Sequence, residues 1–221
     1  MPTTPSNTLP YPLAEVYGLL EPGPVVLLTT RHHGRPNVMT LSWLTMLEFE
    51  PPLVGCVISP RDHSFAAIEA SGECVINIPT LELADAVVGC GNTSGADTDK
   101  FATFGLTPLP ASAVQAPLIA ECFASLECRV VDPAMVSRYG LFVLEVVRAW
   151  IKPDIKNYPT LHHRGHGAFM LAGETITEAA RAAAESRHSY WRQPSAQRPC
   201  ASKQIARSNC RLTGFSARMR R

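Results

Sequence analysis

Nothing in this 221-residue chain is long and apolar enough to cross a bilayer: runs such as 24–28 and 53–58 fall far short of the roughly 20 residues a helical span needs. The start, Met1-Pro2-Thr3-Thr4-Pro5-Ser6, lacks the basic residues and apolar stretch of a secretion signal, so a soluble cytoplasmic protein is the expectation. Seven cysteines (Cys56, Cys74, Cys90, Cys122, Cys128, Cys200, Cys210) are scattered and odd in number, with no C-x-x-C among them. That set fits reduced, buried thiols better than a disulfide framework, and no zinc site follows from it. Glycine-rich nucleotide fingerprints are missing too. Gly89-Cys90-Gly91 lacks the Lys-Ser/Thr of a phosphate loop, and no Rossmann signature is present from which to read a nicotinamide preference.

What is there is globular. Hydrophobic residues make up 46% and charged residues 18%, with a mean hydropathy of +0.03. The length suits one domain with a core, or one domain plus an appendage. Charge is unevenly spread. Residues 175–221 hold ten Lys/Arg against Glu178 and Glu185, a net of +8, which leaves −7 for the rest and +1 for the whole. Only Tyr190, Trp191 and Phe215 interleave with the basic residues, so a solvated extension is expected there and no nucleic-acid partner. Residues 1–12 read as a flexible lead-in, 13–175 as the folded domain, and 176–221 as a poorly ordered tail.

Along the domain a short helix is expected over 13–20. Pro24 to Thr30 is a β-branched run, ended by the turn His33-Gly34-Arg35-Pro36, and 37–44 resumes with alternating polar and apolar residues. Two such runs about a glycine-bearing turn signal a hairpin. Leu53 to Ile58 is apolar throughout, which suits a strand buried on both faces. Asp62 is placed to cap a helix over 63–71, and 73–79 is a further strand. Leu81 to Val88 reads as a helix closed by Gly89 and Gly91, followed by a polar loop over 92–97 and a short turn or helix at Lys100-Phe101. Two long strands, 120–131 and 139–151, complete the domain. Some six strands with short helices and no βαβ regularity predict a mostly β, antiparallel barrel.

Two segments carry the chemistry. In Asn37-x-x-Thr40-Leu41-Ser42-Trp43, hydroxyls at alternate strand positions can present donors on one face. In Ser59-Pro60-Arg61-Asp62-His63-Ser64, a basic, hydroxyl-bearing stretch opens a helix whose first-turn N–H groups attract anions. Taken singly, each reads first as a solvated strand face or a simple helix cap. Together, one buried strand apart, they can converge on one phosphate.

The ordered set Val25-Val26-Leu27-Leu28-Thr29-Thr30, Gly34-Arg35-Pro36-Asn37, Thr40-x-Ser42-Trp43, Pro51-Pro52-Leu53-Val54, Ser59-x-x-x-His63-Ser64, Asn77-Ile78-Pro79, Asp99-Lys100-Phe101 and Gly105-Leu106-Thr107 resembles the flavin reductase-like family. Pro117 to Cys122 and Leu126-Glu127-Cys128 continue the likeness, which spans roughly residues 15–175. The resemblance implies an FMN-binding split-barrel fold and a homodimer with FMN near the subunit interface. It places Thr40, Leu41, Ser42 and Trp43 along the ring and ribityl chain, with Asn37 opening that stretch. It puts Ser59, Arg61, His63 and Ser64 at the phosphate, Asn77 near the flavin edge, and Lys100 near the pocket. The implied reaction is hydride transfer from NADH or NADPH to flavin, with a partner oxygenase as a possible recipient of the reduced flavin. The flavin carries that chemistry, so no catalytic acid or base is assigned.

His162-His163-Arg164-Gly165-His166 is the remaining conspicuous cluster. No regular spacing puts its histidines on one face and no acid or thiol completes a ligand set, so no metal is assigned. By resemblance this segment folds back toward the flavin, with His162, His163 or Arg164 as candidate contacts to FMN or the pyridine nucleotide; otherwise it is a solvated loop. The alternatives to a flavin reductase are an FMN-dependent reductase of another acceptor (a ferric complex or quinone-like compound) and a flavin-binding carrier or sensor. A pyridoxamine-phosphate oxidase-like enzyme is a more remote one.

Overall fold

A computed structural model describes residues 9–16, 24–153, 158–163 and 168–174, all within the first of two units into which the chain divides, Met1–Ile176. The expectations for residues 1–8, 17–20, Arg164, His166 and the tail lie outside the described residues. Twelve strands are described: β1 (Leu9–Pro10), β2 (Val26–His32), β3 (Arg35–Leu41), β4 (Leu44–Phe49), β5 (Pro52–Val57), β6 (Glu73–Ile78), β7 (Pro108–Leu109), β8 (Leu118–Ile119), β9 (Ala124–Asp132), β10 (Leu141–Ile151), β11 (Leu161–His163) and β12 (Phe169–Leu171). The helices are α1 (His63–Ser71), α2 (Ala84–Asn92), α3 (Lys100–Thr103) and α4 (Val136–Tyr139).

The main sheet runs β3-β2-β6-β9-β10-β5-β4, with β1 paired to β10, and every pair is antiparallel. Its two end strands, β3 and β4, are consecutive in the chain, with only Ser42 and Trp43 between them. A two-residue link cannot bridge a flat seven-strand width, so the twisted sheet curls until its edges meet at that corner. They meet there without pairing, which makes the barrel a split one.

Strand β2 is buried on both faces. Val26 and Leu28 join the barrel core with Ile76, Leu126, Phe142 and Leu144, while Leu27 joins a second cluster with Val87, Phe101 and Ile119 under α2. The predicted hairpin is present, turning through His33 (φ 48°) and Gly34 (φ 77°), where left-handed backbone is required.

Several boundaries differ from the sequence reading. The run 37–44 is not one strand. β3 ends at Leu41 because it pairs with β2, whereas the next segment pairs with β5, so the backbone turns at Ser42-Trp43 and Val57 N–H donates to the Trp43 carbonyl at 2.9 Å. Over 13–20, the described part is only a 3-10 turn, Leu13–Glu15. Residues Leu9–Pro10 of the lead-in are paired, opposite Ile151 and Trp150. The strand expected over 120–131 starts at Ala124, after a turn in which Cys122 N–H donates to the Ile119 carbonyl.

Glycines 89 and 91 do not close a helix. After a 3-10 turn at Leu81–Leu83, α2 runs through both of them to Asn92. Each glycine costs a helix interior about 0.5–1 kcal/mol. A Cβ on Gly89 would overlap the Phe104 ring, and one on Gly91 would lie 3.4 Å from Thr40 Cβ. Gly89 therefore lets α2 lie close against Phe104, whereas a side chain at Gly91 would meet Thr40 at ordinary contact distance.

Candidate functional site

The gap between β3, the start of α1 and the end of α2 forms a polar cleft of about 320 Å3. β3 contributes Asn37, Met39 and Thr40; the start of α1 contributes Arg61, Asp62, His63 and Ser64. Cys90, Lys100 and residues 91–95, the end of α2 and the segment after it, form the far wall. The cleft is stitched from side to side. Asn37 Nδ2 donates to Ser64 Oγ at 2.9 Å, tying the strand to the first turn of α1. Thr40 Oγ1 donates to the Val87 carbonyl at 2.5 Å, tying the same strand to α2. Gly95 closes against Asn37, whose side chain a Cβ at that position would overlap.

Asp62 sits at the expected cap position, but its carboxylate is used elsewhere: it accepts from Ser59 N–H at 3.1 Å and makes no bond to the first turn. The start of α1 lines the cleft with Arg61, His63 and Ser64, and a helix N-terminus beside two basic side chains favours an anion. Lys100 is buried, and its Nζ donates to the Cys90 carbonyl at 2.7 Å. Burial lowers its pKa, with the Cys90 thiol and Asp62 acting in the opposite sense. An ammonium has three donors, so Lys100 keeps capacity toward the cleft after this bond. Burial pushes the Cys90 thiol up to about 11, which keeps it protonated and unreactive at neutral pH.

A second cleft of about 270 Å3 continues the first, sharing Thr40, Gly91 and Asn92. Its walls are apolar at Val25, Val87, Val88 and Phe169, with Ser42 and His163 at the rim. The β11–β12 pair delivers His163 and Phe169, whose rings lie 5.2 Å apart. It is anchored to the barrel by Val25 N–H, which donates to the Leu161 carbonyl at 2.6 Å. His162 turns away to the Thr160 hydroxyl at 3.1 Å, so of the expected histidine cluster His163 reaches the cleft.

Of the residues singled out from sequence, Asn37, Thr40, Ser42, Arg61, His63, Ser64, Lys100 and His163 line this two-part groove. Four are elsewhere. Leu41 is a core residue, because alternation along β3 turns it inward. Trp43 is 71% exposed at the corner between β3 and β4. Ser59 is at the surface, its hydroxyl accepting from Arg61 N–H at 3.2 Å. Asn77 is fully buried; its Nδ2 donates to the Leu27 carbonyl and its Oδ1 accepts from Ile119 N–H and Ser125 Oγ, so it fastens three segments together and reaches neither cleft. Thr40 is at the groove, but its hydroxyl proton is committed to Val87 and is not free for a ligand. Sequence reasoning passed over the wall formed by Gly91, Asn92, Thr93, Ser94 and Gly95. Its signal was the run of small polar residues that ends α2 and follows it.

The groove suits a ligand with an anionic end and a flat apolar end, joined by a polar chain. Comparison with known proteins gives the same direction. The model of the "flavin reductase like domain" matches residues 19–169. YddH of Escherichia coli K12, an uncharacterized protein, is 32% identical over 187 residues, covering 78% of this chain and 98% of that one. The reductase component of a 4-nitrophenol 4-monooxygenase/4-nitrocatechol 2-monooxygenase from Rhodococcus opacus is 34% identical over 129 residues, covering 57% of this chain and 64% of that one. Among solved structures, the FMN-binding domain of a flavin reductases-like enzyme from Shewanella baltica OS155 superposes with a TM-score of 0.74 at 29% identity, covering 80% of this chain and all of that one. With the family model spanning the barrel and both clefts, the chain belongs to the flavin reductase like domain family.

Proposed function

We propose that the chain binds FMN in this groove and serves as an NADH- or NADPH-dependent flavin reductase. The observation that carries the reading is the convergence of Arg61, His63, Ser64 and the first turn of α1 on a polar cleft that runs into an apolar one. Arg61, His63 and the α1 N–H groups hold the phosphate, with Ser64 kept in place by Asn37. Ser42 and Asn92 flank the ribityl chain, and Val25, Val87 and Val88 take one side of the ring. His163 and Phe169 shield its edge from water. Bound flavin supplies the hydride acceptor; the protein's own share is binding, orientation and access.

Leu41 and Asn77 act in this reading through the strands they fix, not by touching the flavin. Membership of a family that includes the Rhodococcus reductase component supports a partner oxygenase as the consumer of reduced flavin. Trp43, 71% exposed beside the groove's end strand, supports a homodimer in which a second subunit covers that corner. The proposed folded domain runs to residue 175 and takes in the paired Leu9–Pro10, with 176–221 as a basic appendage, and the cytoplasm is the proposed location.

The test is a spectrum followed by turnover. Purified protein should take up FMN with flavin absorbance bands and oxidise NADH or NADPH, faster with added FMN. Protein that stays colourless after incubation with FMN would sink the reading. FMN uptake without oxidation of either nucleotide would move it to a carrier or sensor. Turnover only with a ferric complex or quinone would name a different acceptor.

A further inference from the structure

Asp62 is the one acid among the described residues that line the polar cleft, beside Arg61, His63 and Lys100. A carboxylate is out of place where an anion is to be held, since like charges brought together weaken binding. The ordinary reason for an aspartate at a helix start is capping, in which its oxygen accepts from an N–H of the first turn. Asp62 stands at that position before α1 and makes no such bond.

What its side chain does instead is local. Asp62 N–H donates to the Ser59 carbonyl at 2.9 Å, and Asp62 Oδ2 accepts from Ser59 N–H at 3.1 Å. The two residues clasp each other across the turn that leads into α1, and Ser59 Oγ also accepts from Arg61 N–H at 3.2 Å. The amide oxygen of an asparagine would complete the same clasp, so the turn needs an acceptor and not a charge. The charge is felt on the opposite wall. Asp62 favours the ammonium form of the buried Lys100, against the desolvation that dominates there. One carboxylate thus offsets part of the positive potential that both Lys100 and the start of α1 give the cleft.

We propose that Asp62 limits how tightly the polar cleft holds a flavin phosphate, so that FMN stays exchangeable. This rests on the flavin reading above, in which reduced flavin leaves for a partner. A phosphate monoester such as FMN carries a charge of about −1.5 to −2 at neutral pH, whereas riboflavin has no phosphate. Repulsion by Asp62 acts on the first and not on the second. This one residue therefore narrows the margin by which FMN is held over riboflavin, while Arg61 and His63 on either side of it widen that margin.

The experiment measures FMN and riboflavin dissociation constants, by flavin fluorescence, for the full chain and three variants. Asp62→Asn keeps an acceptor for Ser59 and removes the charge, Asp62→Ser removes the charge with a smaller side chain, and Asp62→Glu keeps the charge. Each neutral variant should bind FMN about tenfold more tightly at low salt and riboflavin within about twofold of the full chain. Asp62→Glu should not tighten FMN binding. At about 1 M salt, where exposed charges are screened beyond about 3 Å, the gain of the neutral variants should shrink. Should one neutral variant fail to fold, the other carries the test. FMN affinity unchanged or weakened in the folded neutral variants would overturn the assignment. So would equal tightening toward FMN and riboflavin, which a change in cleft shape would produce, or a gain that salt does not reduce. FMN binding without a gain on neutralising Asp62 defeats this inference alone, whereas a full chain that binds neither flavin defeats the flavin reading and this one with it.

Discussion

Asn37 Nδ2 on β3 donates to Ser64 Oγ in the first turn of α1 at 2.9 Å, and that bond sets the width of the polar cleft. Both residues are buried, and Gly95 packs against the Asn37 side chain from the other wall. Asn37→Ala should therefore open the cleft at its centre. A loss of about 1–2 kcal/mol in FMN binding, roughly 5- to 30-fold in Kd, is expected by fluorescence titration. An unchanged Kd would mean that the phosphate does not sit here.

Asn77 and His63 should separate cleanly. Asn77 makes several buried hydrogen bonds between β2, β6, β8 and β9, so Asn77→Ala should cost about 2–5 kcal/mol of stability by urea unfolding. Its FMN affinity, measured where the variant is fully folded, should change little. His63→Ala should do the reverse, with near-normal stability and FMN affinity weakened about tenfold. A weakened Asn77→Ala site in fully folded protein would place Asn77 functionally at the flavin after all.

Gly89→Ala should destabilise, although helix propensity alone would favour it by about 1 kcal/mol. The added Cβ meets the half-buried Phe104 ring, and overpacking of this kind costs about 1–3 kcal/mol. Adding Phe104→Leu should recover much of the loss. A stabilised single variant, read from the thermal midpoint, would show that α2 can shift away from Phe104.

Stability should fall as pH rises above about 9. Burial raises the thiol pKa of Cys56, Cys90, Cys122 and Cys128 from an unfolded value of 9.0, Cys90 to about 11. A raised folded value means that the stabilisation is complete below pH 9 and is lost as pH climbs toward the folded pKa. Each thiol contributes a slope of about 1.4 kcal/mol per pH unit within its window. Lys100 has the opposite sign, because its folded pKa is lowered from 10.5 and deprotonation relieves its burial. One lysine does not offset four thiols, so urea midpoints between pH 8 and 10.5 should decline. Cys122→Ala should flatten the decline, and a midpoint rising with pH would contradict the burial of these thiols.

How much of this could be read in advance depended on the range of the interaction. The hairpin at His33-Gly34 was legible because two residues in left-handed conformation fix a turn locally. The α1 start was legible from Ser59 to Ser64 for the same reason. The end of α2 differs from the sequence reading, because glycine usually ends a helix and only Phe104, from another element, explains why Gly89 lies within it. The resemblance put Asn77 near the flavin edge, whereas the register of β6 against β2 and β9 buries it between those strands.

By itself the sequence determined the elements and the family, since period-two alternation, turn residues and the order of short motifs are all written in consecutive positions. Whether a side chain reaches the groove was decided only by tertiary structure. Leu41 and Thr40 are neighbours in the chain, yet β3 turns one into the core and the other to the groove, where the Val87 carbonyl takes its proton. Residues 91–95 became a wall because α2 ends against β3, a consequence of packing that no local pattern encodes.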